Sequence, residues 1–190
     1  MQLSADQFSL SKLLDDGTRI RIPEYQRNYA WTAENIDQYI NDLAEAVSSD
    51  EDHFFGPIVL LEEGKDSFSV IDGQQRLTTT IMLLSLIRDR LAEMDNPVHE
   101  IGGVPIHLRQ DVNTMLKHKN FVDYRFTANR QIAQVFETYI MQEPGALRKE
   151  LSKGGKGLDE KQRENTKALR SAYFRLKDSL NVMLAENNAT

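Results

Sequence analysis

Cysteine is absent from the 190-residue chain, so there are no disulfides, no thiolate nucleophile and no thiolate zinc site. No apolar run is long enough to span a bilayer. Met1-Gln-Leu-Ser-Ala-Asp6 lacks the basic and apolar regions of a secretory leader. These absences lead to the expectation of a cytoplasmic protein with no membrane partner. Positive charge is scarce in the first half: residues 1–99 hold 8 Lys+Arg against 18 Asp+Glu, a balance of -10, whereas residues 100–190 hold 15 against 11, a balance of +4. The net charge of -6 argues against a general nucleic-acid binder. Any attraction to nucleic acid has to come from the C-terminal half or a local patch, a solvated basic helix surface being the blander reading.

What is present centres on Phe68-Ser-Val-Ile-Asp-Gly-Gln-Gln-Arg-Leu-Thr-Thr-Thr80. Phe68 to Ile71 reads as a buried strand, Asp72-Gly73 breaks it, and Leu77, Ile81, Leu84, Ile87 and Leu91 recur at helical spacing from Gln74 onward. The first helical turn then carries Gln74, Gln75 and Arg76. Such a turn suits an anion, because the unpaired N–H groups and macrodipole favour negative charge, Gly73 permits close approach, and Arg76 supplies a planar fork. The alternative is an ordinary Asp72 N-cap followed by a solvated first turn.

The rest of the chain frames this stretch. A short helix spans Leu10 to Leu14, and Thr18 to Ile22 alternates as a strand ended by Pro23. Pro23-Glu-Tyr-Gln-Arg-Asn-Tyr-Ala-Trp31 is dense in aromatics for a chain with 8% of them. Thr32 caps a helix with Ile36, Tyr39, Ile40, Leu43 and Val47 on one face, and Ser48 to Asp52 reads as an acidic loop. Phe54 to Leu61 reads as a strand broken at Gly56-Pro57, forming a hairpin with Phe68 to Ile71 through a turn over 62–67. The helix after Gln74 is apolar nearly all round, which marks it as central. Asn96 to Ile106 reads as a loop, Val112 to Lys117 as a short helix, Tyr124 to Phe126 as a strand, and Asn129 to Met141 as a helix. Ser152-Lys-Gly-Gly-Lys-Gly157 reads as a flexible loop without the spacing of a phosphate loop, so it receives no function. One long helix follows over about 161–185. The hydrophobic share of 40% and charged share of 27% permit a domain of residues 1–95 with a mostly helical extension of the same domain over 96–190.

Three stretches in order, Ile22-Pro-Glu-Tyr-Gln-Arg-Asn-Tyr-Ala-Trp31, Phe55-Gly-Pro-Ile-Val-Leu60 and Ile71-Asp-Gly-Gln-Gln-Arg-Leu-Thr-Thr79, resemble the N-terminal domain of GmrSD-type restriction enzymes. The same domain occurs in SspE-like and BrxU-like phage-defence proteins. The likeness is specific across residues 8–91 and weakens to a general pattern across 120–180. It implies an α+β, ParB/sulfiredoxin-like fold: a small mixed sheet with a central helix, then a helical C-terminal extension. It also implies that the Asp-Gly-Gln-Gln-Arg turn handles a nucleoside triphosphate, with GTP expected, and couples its hydrolysis to sensing modified DNA. The partner in the family is an HNH nuclease domain or subunit. His53, His99, His107 and His118 are not in an HNH-like setting, so the chain is expected to be an N-terminal piece of a longer protein or a solitary sensor subunit.

On the enzyme reading Asp72, Gln75 and Arg76 are catalytic, with Arg76 neutralising charge on the phosphoryl oxygens and Asp72 holding Mg²⁺ through water or orienting the attacking water. Gln26, Arg27, Gly73, Gln74 and Thr78 bind nucleotide. Pro23, Tyr25 and Tyr29 form a pocket for a DNA modification, while Trp31 packs in the core. Two rival readings stay open: a non-catalytic switch in which nucleotide gates DNA binding, and a scaffold for a nuclease.

Overall fold

The computed structural model describes residues 7, 9–14, 17–49, 52–94, 98–101, 104–118, 123–146 and 148–187, the stretches 98–101 and 104–106 and residues 186 and 187 by backbone alone. The acidic residues Asp50 and Glu51 and part of the first helix's surroundings lie outside them. Ser9 caps α1 (Leu10–Leu13), its hydroxyl accepting from the Lys12 N–H. β1 (Arg19–Arg21) follows, then α2 (Ala33–Ser49), β2 (Val59–Gly64), β3 (Ser67–Asp72) and α3 (Gln74–Ala92). β4 (Val98–Ile101), β5 (Val104–His107), α4 (Leu108–Leu116), β6 (Phe126–Thr127) and α5 (Arg130–Phe136) come next, and α5 runs on through a π-helical turn over Glu137–Met141. α6 (Glu160–Asn165) and α7 (Lys167–Asn187) complete the described chain.

The fold is α+β. The main sheet has the order β2-β3-β1-β6, with β2 and β3 antiparallel and β3, β1 and β6 parallel. Register places Ile20 of β1 between Phe68 of β3 and Phe126 of β6. Ile20 and Phe126 share one core with Val70 of β3, Leu77 and Ile81 of α3, Ile36 and Ile40 of α2, Ile132 and Phe136 of α5 and Leu169 and Leu176 of α7. The stretch beyond residue 96 thus supplies the fourth strand of the sheet as well as helices. On the other face Arg21 forks onto Glu63 of β2 with two bonds of 2.6 Å, and this guanidinium draws the Glu63 carboxyl below its usual range.

Several boundaries differ from the sequence reading for physical reasons. The strand expected from Phe54 starts only at Val59, because Gly56 takes a left-handed conformation and residues 52–58 are irregular. Residues 96–106 were expected as a loop, but β4 and β5 pair antiparallel from Val98↔His107 to Ile101↔Val104. The β-branched residues on either side of Gly102-Gly103 are the signal for that pairing. Val47 is 79% exposed, since the buried stripe of α2 ends before its last turn. Ser48 and Ser49, expected in a loop, complete that helix. The long helix expected over 161–185 is two helices that break at Thr166, whose side chain donates to the Gln162 carbonyl and accepts from the buried Arg170.

The π-helical turn has a cause in α3. Arg88 is fully buried and donates to the carbonyls of Ile140, Met141 and Gln142, and it shares Asp89 with Arg148. One guanidinium thus terminates the α5 continuation from outside it, satisfying carbonyls that have no intrahelical partner there. Arg88→Met keeps much of the volume but leaves those carbonyls and Asp89 with one cation fewer. It should cost about 3–5 kcal/mol of unfolding free energy, read as a lower urea midpoint. An unchanged midpoint would show that the turn does not depend on Arg88.

Candidate functional site

The site grows from the way α3 begins. Gly73 occupies the N-cap with φ 88°, and no side chain caps the helix, so Asp72 is not a capping residue. None of Gln74, Gln75 and Arg76 donates its backbone N–H to another described residue, as the first turn of a helix requires of its orphan donors. The positive end of a 19-residue helix therefore stands here without a counter-charge bonded to it.

Three segments meet at this point. The first is the loop after β1, residues 23–30. Asn129 holds its start: the Asn129 amide nitrogen reaches the carbonyls of Pro23 at 3.2 Å and Gln26 at 2.9 Å, while its oxygen accepts from the Gln131 N–H and caps α5. Gln26 bridges to the strand and helix, donating to the Ile71 carbonyl and accepting from the Gln74 amide, both at 2.9 Å. Gln75 holds the end of the loop, accepting from the Ala30 N–H at 2.8 Å and donating to the Asn28 carbonyl at 3.2 Å. The second segment is 55–58, which crosses the start of α3. Arg76 donates to the Pro57 carbonyl at 2.7 Å and lays its guanidinium against Gly56, where any β-carbon would collide with it. The third is Asp72–Arg76 itself.

This geometry sorts the expected site residues. Gln26, Gln74 and Gln75 are used by the protein to fix the loop. Thr78 is buried and its hydroxyl donates to the Gln74 carbonyl, so it offers nothing to a ligand. Tyr29 is also buried, against the pocket expectation, and its hydroxyl lies 2.7 Å from that of Thr79. Burial pushes the Tyr29 phenol up, which keeps it protonated. Pro23 is buried at the end of β1. The space beside Gly73 is filled by the Pro57 carbonyl and Ile58, so the glycine admits the protein's own backbone. The side chains left outward are Tyr25, at 73% exposure, Arg27 and Asp72, the latter two with no hydrogen bond or ion pair to a described residue. Arg76 is half-buried and retains donors beyond the one given to Pro57. Trp31 is half-buried and packs against the core, its ring 5.7 Å from that of Tyr39 and tilted 58° to it.

Two residues with a hand in the site were not singled out from the sequence. In the sequence Asn129 marks only a helix start, and its second use, 103 positions away on Gln26, has no local signature. Asn28 gives its carbonyl to Gln75 and its amide nitrogen to Gln131, while its side-chain oxygen is buried and unpartnered. Chemically, the site offers cations and helix N–H groups for an anion, one carboxylate, and an aromatic ring at its rim.

Among comparisons with known proteins, the family model described as "GmrSD restriction endonuclease, N-terminal domain" matches residues 10–189. No curated protein matches the chain.

Gln75 is the side chain whose loss should loosen the loop most. Gln75→Ala leaves the Ala30 N–H and the Asn28 carbonyl without their partner, which costs on the order of 1–3 kcal/mol. Amide exchange at Ala30 should speed up in Gln75→Ala and stay slow in Thr32→Ala, a change at the neighbouring helix start. Equal exchange at Ala30 in wild type and Gln75→Ala would show that another contact holds the loop.

Proposed function

Because the chain belongs to the GmrSD restriction endonuclease N-terminal-domain family, we propose that it serves restriction as the nucleotide-handling and DNA-sensing part of a phage-defence protein. In this reading the start of α3 receives the phosphates of a nucleoside triphosphate, GTP by the family likeness, on the N–H groups of Gln74, Gln75 and Arg76. The observation that carries it is the set of unpartnered polar groups around an uncapped helix start, on backbone that is fixed by side-chain hydrogen bonds. Preorganised donors of this kind stabilise developing charge without reorganising.

Arg76 then turns some of its donors to the phosphoryl oxygens while the Pro57 bond keeps its stem in place. Arg27 adds a second cation from the loop. Asp72 orients the attacking water. Gln74, Gln75 and Gln26 are positioning residues, and Thr78 acts only by supporting Gln74. Among the described residues no cluster of three or more His, Asp or Glu could hold a metal, so in this reading Mg²⁺ would be held by Asp72 with the phosphates and water. Mg²⁺ is commonly held by one or two carboxylates together with phosphates and waters, and Asp72 is an exposed carboxylate with no competing partner among the described residues. The ion would neutralise triphosphate charge. Tyr25 offers its ring to a base or a modification on DNA, and an HNH nuclease domain or subunit would cut.

A second reading, the nucleotide-gated switch, draws on the same bonds. Gln74 and Gln75 tie the helix start to the loop that carries Tyr25 and Arg27, so an anion that shifts either glutamine would move the rim residues without any hydrolysis.

The test is GTP turnover with Mg²⁺ by wild type and Arg76→Ala. The variant should lose about 100-fold in kcat, the size of effect for a removed transition-state donor, with its melting transition retained. Turnover equal to wild type would remove Arg76 from the mechanism. Nucleotide binding without turnover in wild type would favour the switch.

A further inference from the structure

We infer that the loop Ser152–Gly157, with Arg163 beside it, is a second anion-binding surface that grips the phosphodiester backbone of DNA. The loop is glycine-rich and basic, yet it is built as a fixed element. Leu151 and Leu158 are buried at its two ends. The buried Arg170 donates to the Lys153 carbonyl at 2.6 Å and the Arg163 carbonyl at 2.8 Å, joining the loop to the helix break. The Ser152 hydroxyl accepts from the Lys156 N–H, and the Ser152 carbonyl accepts from the Gly155 N–H. Gly155 has φ 72°, and a β-carbon there would lie 2.7 Å from Cγ of Arg163, so the arginine stem rests flat on the glycine. The backbone is thereby ordered before any ligand arrives, which lowers the entropy cost of gripping one.

What the ordered loop presents is positive charge. Lys153, Lys156 and Arg163 are exposed, and none is in an ion pair among the described residues. Five exposed arginines elsewhere are paired, Arg19 with Asp123, Arg21 with Glu63, Arg90 with Glu93, Arg130 with Glu24 and Arg175 with Asp37, whereas Arg27 and Arg109 are exposed without an ion pair among the described residues. The N–H groups of Gly154 and Gly157, both exposed, donate to no described residue. Unpaired cations around free glycine N–H groups suit phosphate oxygens. The first half carries a balance of -10 and the second +4, so a polyanion is favoured at a local basic patch of the second half, such as this loop. The contact reads no sequence. It supplies affinity and register for whatever the α3 site senses, so it rests on the proposed function only in taking DNA as the partner.

The experiment titrates the 190-residue chain against a labelled mixed-sequence DNA duplex over a range of salt. Variants are Lys153→Ala/Lys156→Ala, Gly155→Ala, and the charge-matched control Lys12→Ala/Lys65→Ala. Losing two phosphate contacts should make the plot of log K against log[salt] shallower by roughly 1.8 in Lys153→Ala/Lys156→Ala, while the control keeps the wild-type slope. Gly155→Ala keeps every charge and should still bind more weakly, because the loop loses its shape. A wild-type slope in Lys153→Ala/Lys156→Ala, or an equal loss in the control, would overturn the loop's role while leaving DNA as partner. Absence of duplex binding by wild type, or binding to phosphatidylserine vesicles in its place, would overturn both. GTP binding on the same samples isolates the α3 site from either failure.

Discussion

A helix buried over most of its surface has to match each polar group on its buried sides, and that constraint on α3 organises the molecule. Its inward side includes Gln74, Gln75, Thr78, Thr79, Thr80, Ser85 and Arg88 along with the apolar residues. Thr79 donates its only hydroxyl hydrogen to the Gln75 carbonyl, so the Tyr29 hydroxyl has to donate to Thr79. Thr80 and Tyr39 repeat the arrangement with the Arg76 carbonyl. Ser85 bonds back to Ile81. Each such bond contributes only about 1 kcal/mol net, but each one left unmade would cost about 1–3. The constraint therefore acts mainly by excluding arrangements, and it fixes which neighbours α3 can have.

Those neighbours are the pieces of the site. Through Tyr29 and Gln75, α3 fixes the loop after β1; through Arg76 it fixes the segment before β2; through Arg88 it ends α5. Asn129 then joins the start of α5 to the same loop. The groups that face outward at the rim, Tyr25, Arg27 and Asp72, are carried by backbone with little freedom to yield. The second basic surface is made in the same manner, with a buried arginine ordering exposed backbone. In both places buried polar contacts are the means by which an exposed, functional shape is held.

Much of this was legible from local patterns. The apolar spacing after Gln74 gave α3 within a residue of its observed end, and the alternation of Thr18 to Ile22 gave β1. The Asp-Gly-Gln-Gln-Arg block located the helix start and the likeness to restriction proteins, which the family match supports. What stayed hidden depends on distant partners. Nothing near Gln75 says that its amide reaches Asn28 and Ala30, and a threonine next to a glutamine looks as available as one buried at 2% exposure, as Thr78 is. Tyr29 and Tyr25 sit four positions apart in one aromatic stretch, yet one is in the core and the other at the rim, because the turn at Glu24-Tyr25 reverses the chain between them. The break at Thr166 needed Arg170 and the loop at Lys153 to be seen together.

The linkage between the helix start and the loop can be read residue by residue with hydrogen–deuterium exchange, comparing the chain alone and with Mg²⁺ and a slowly hydrolysed GTP analogue. If phosphates bind where α3 begins, exchange should slow at Gln74 to Arg76 and also across Gln26 to Ala30, because Gln74 and Gln75 bond the two segments together. Protection confined to other parts of the chain, or no protection at saturating analogue, would contradict a nucleotide site built on that helix start.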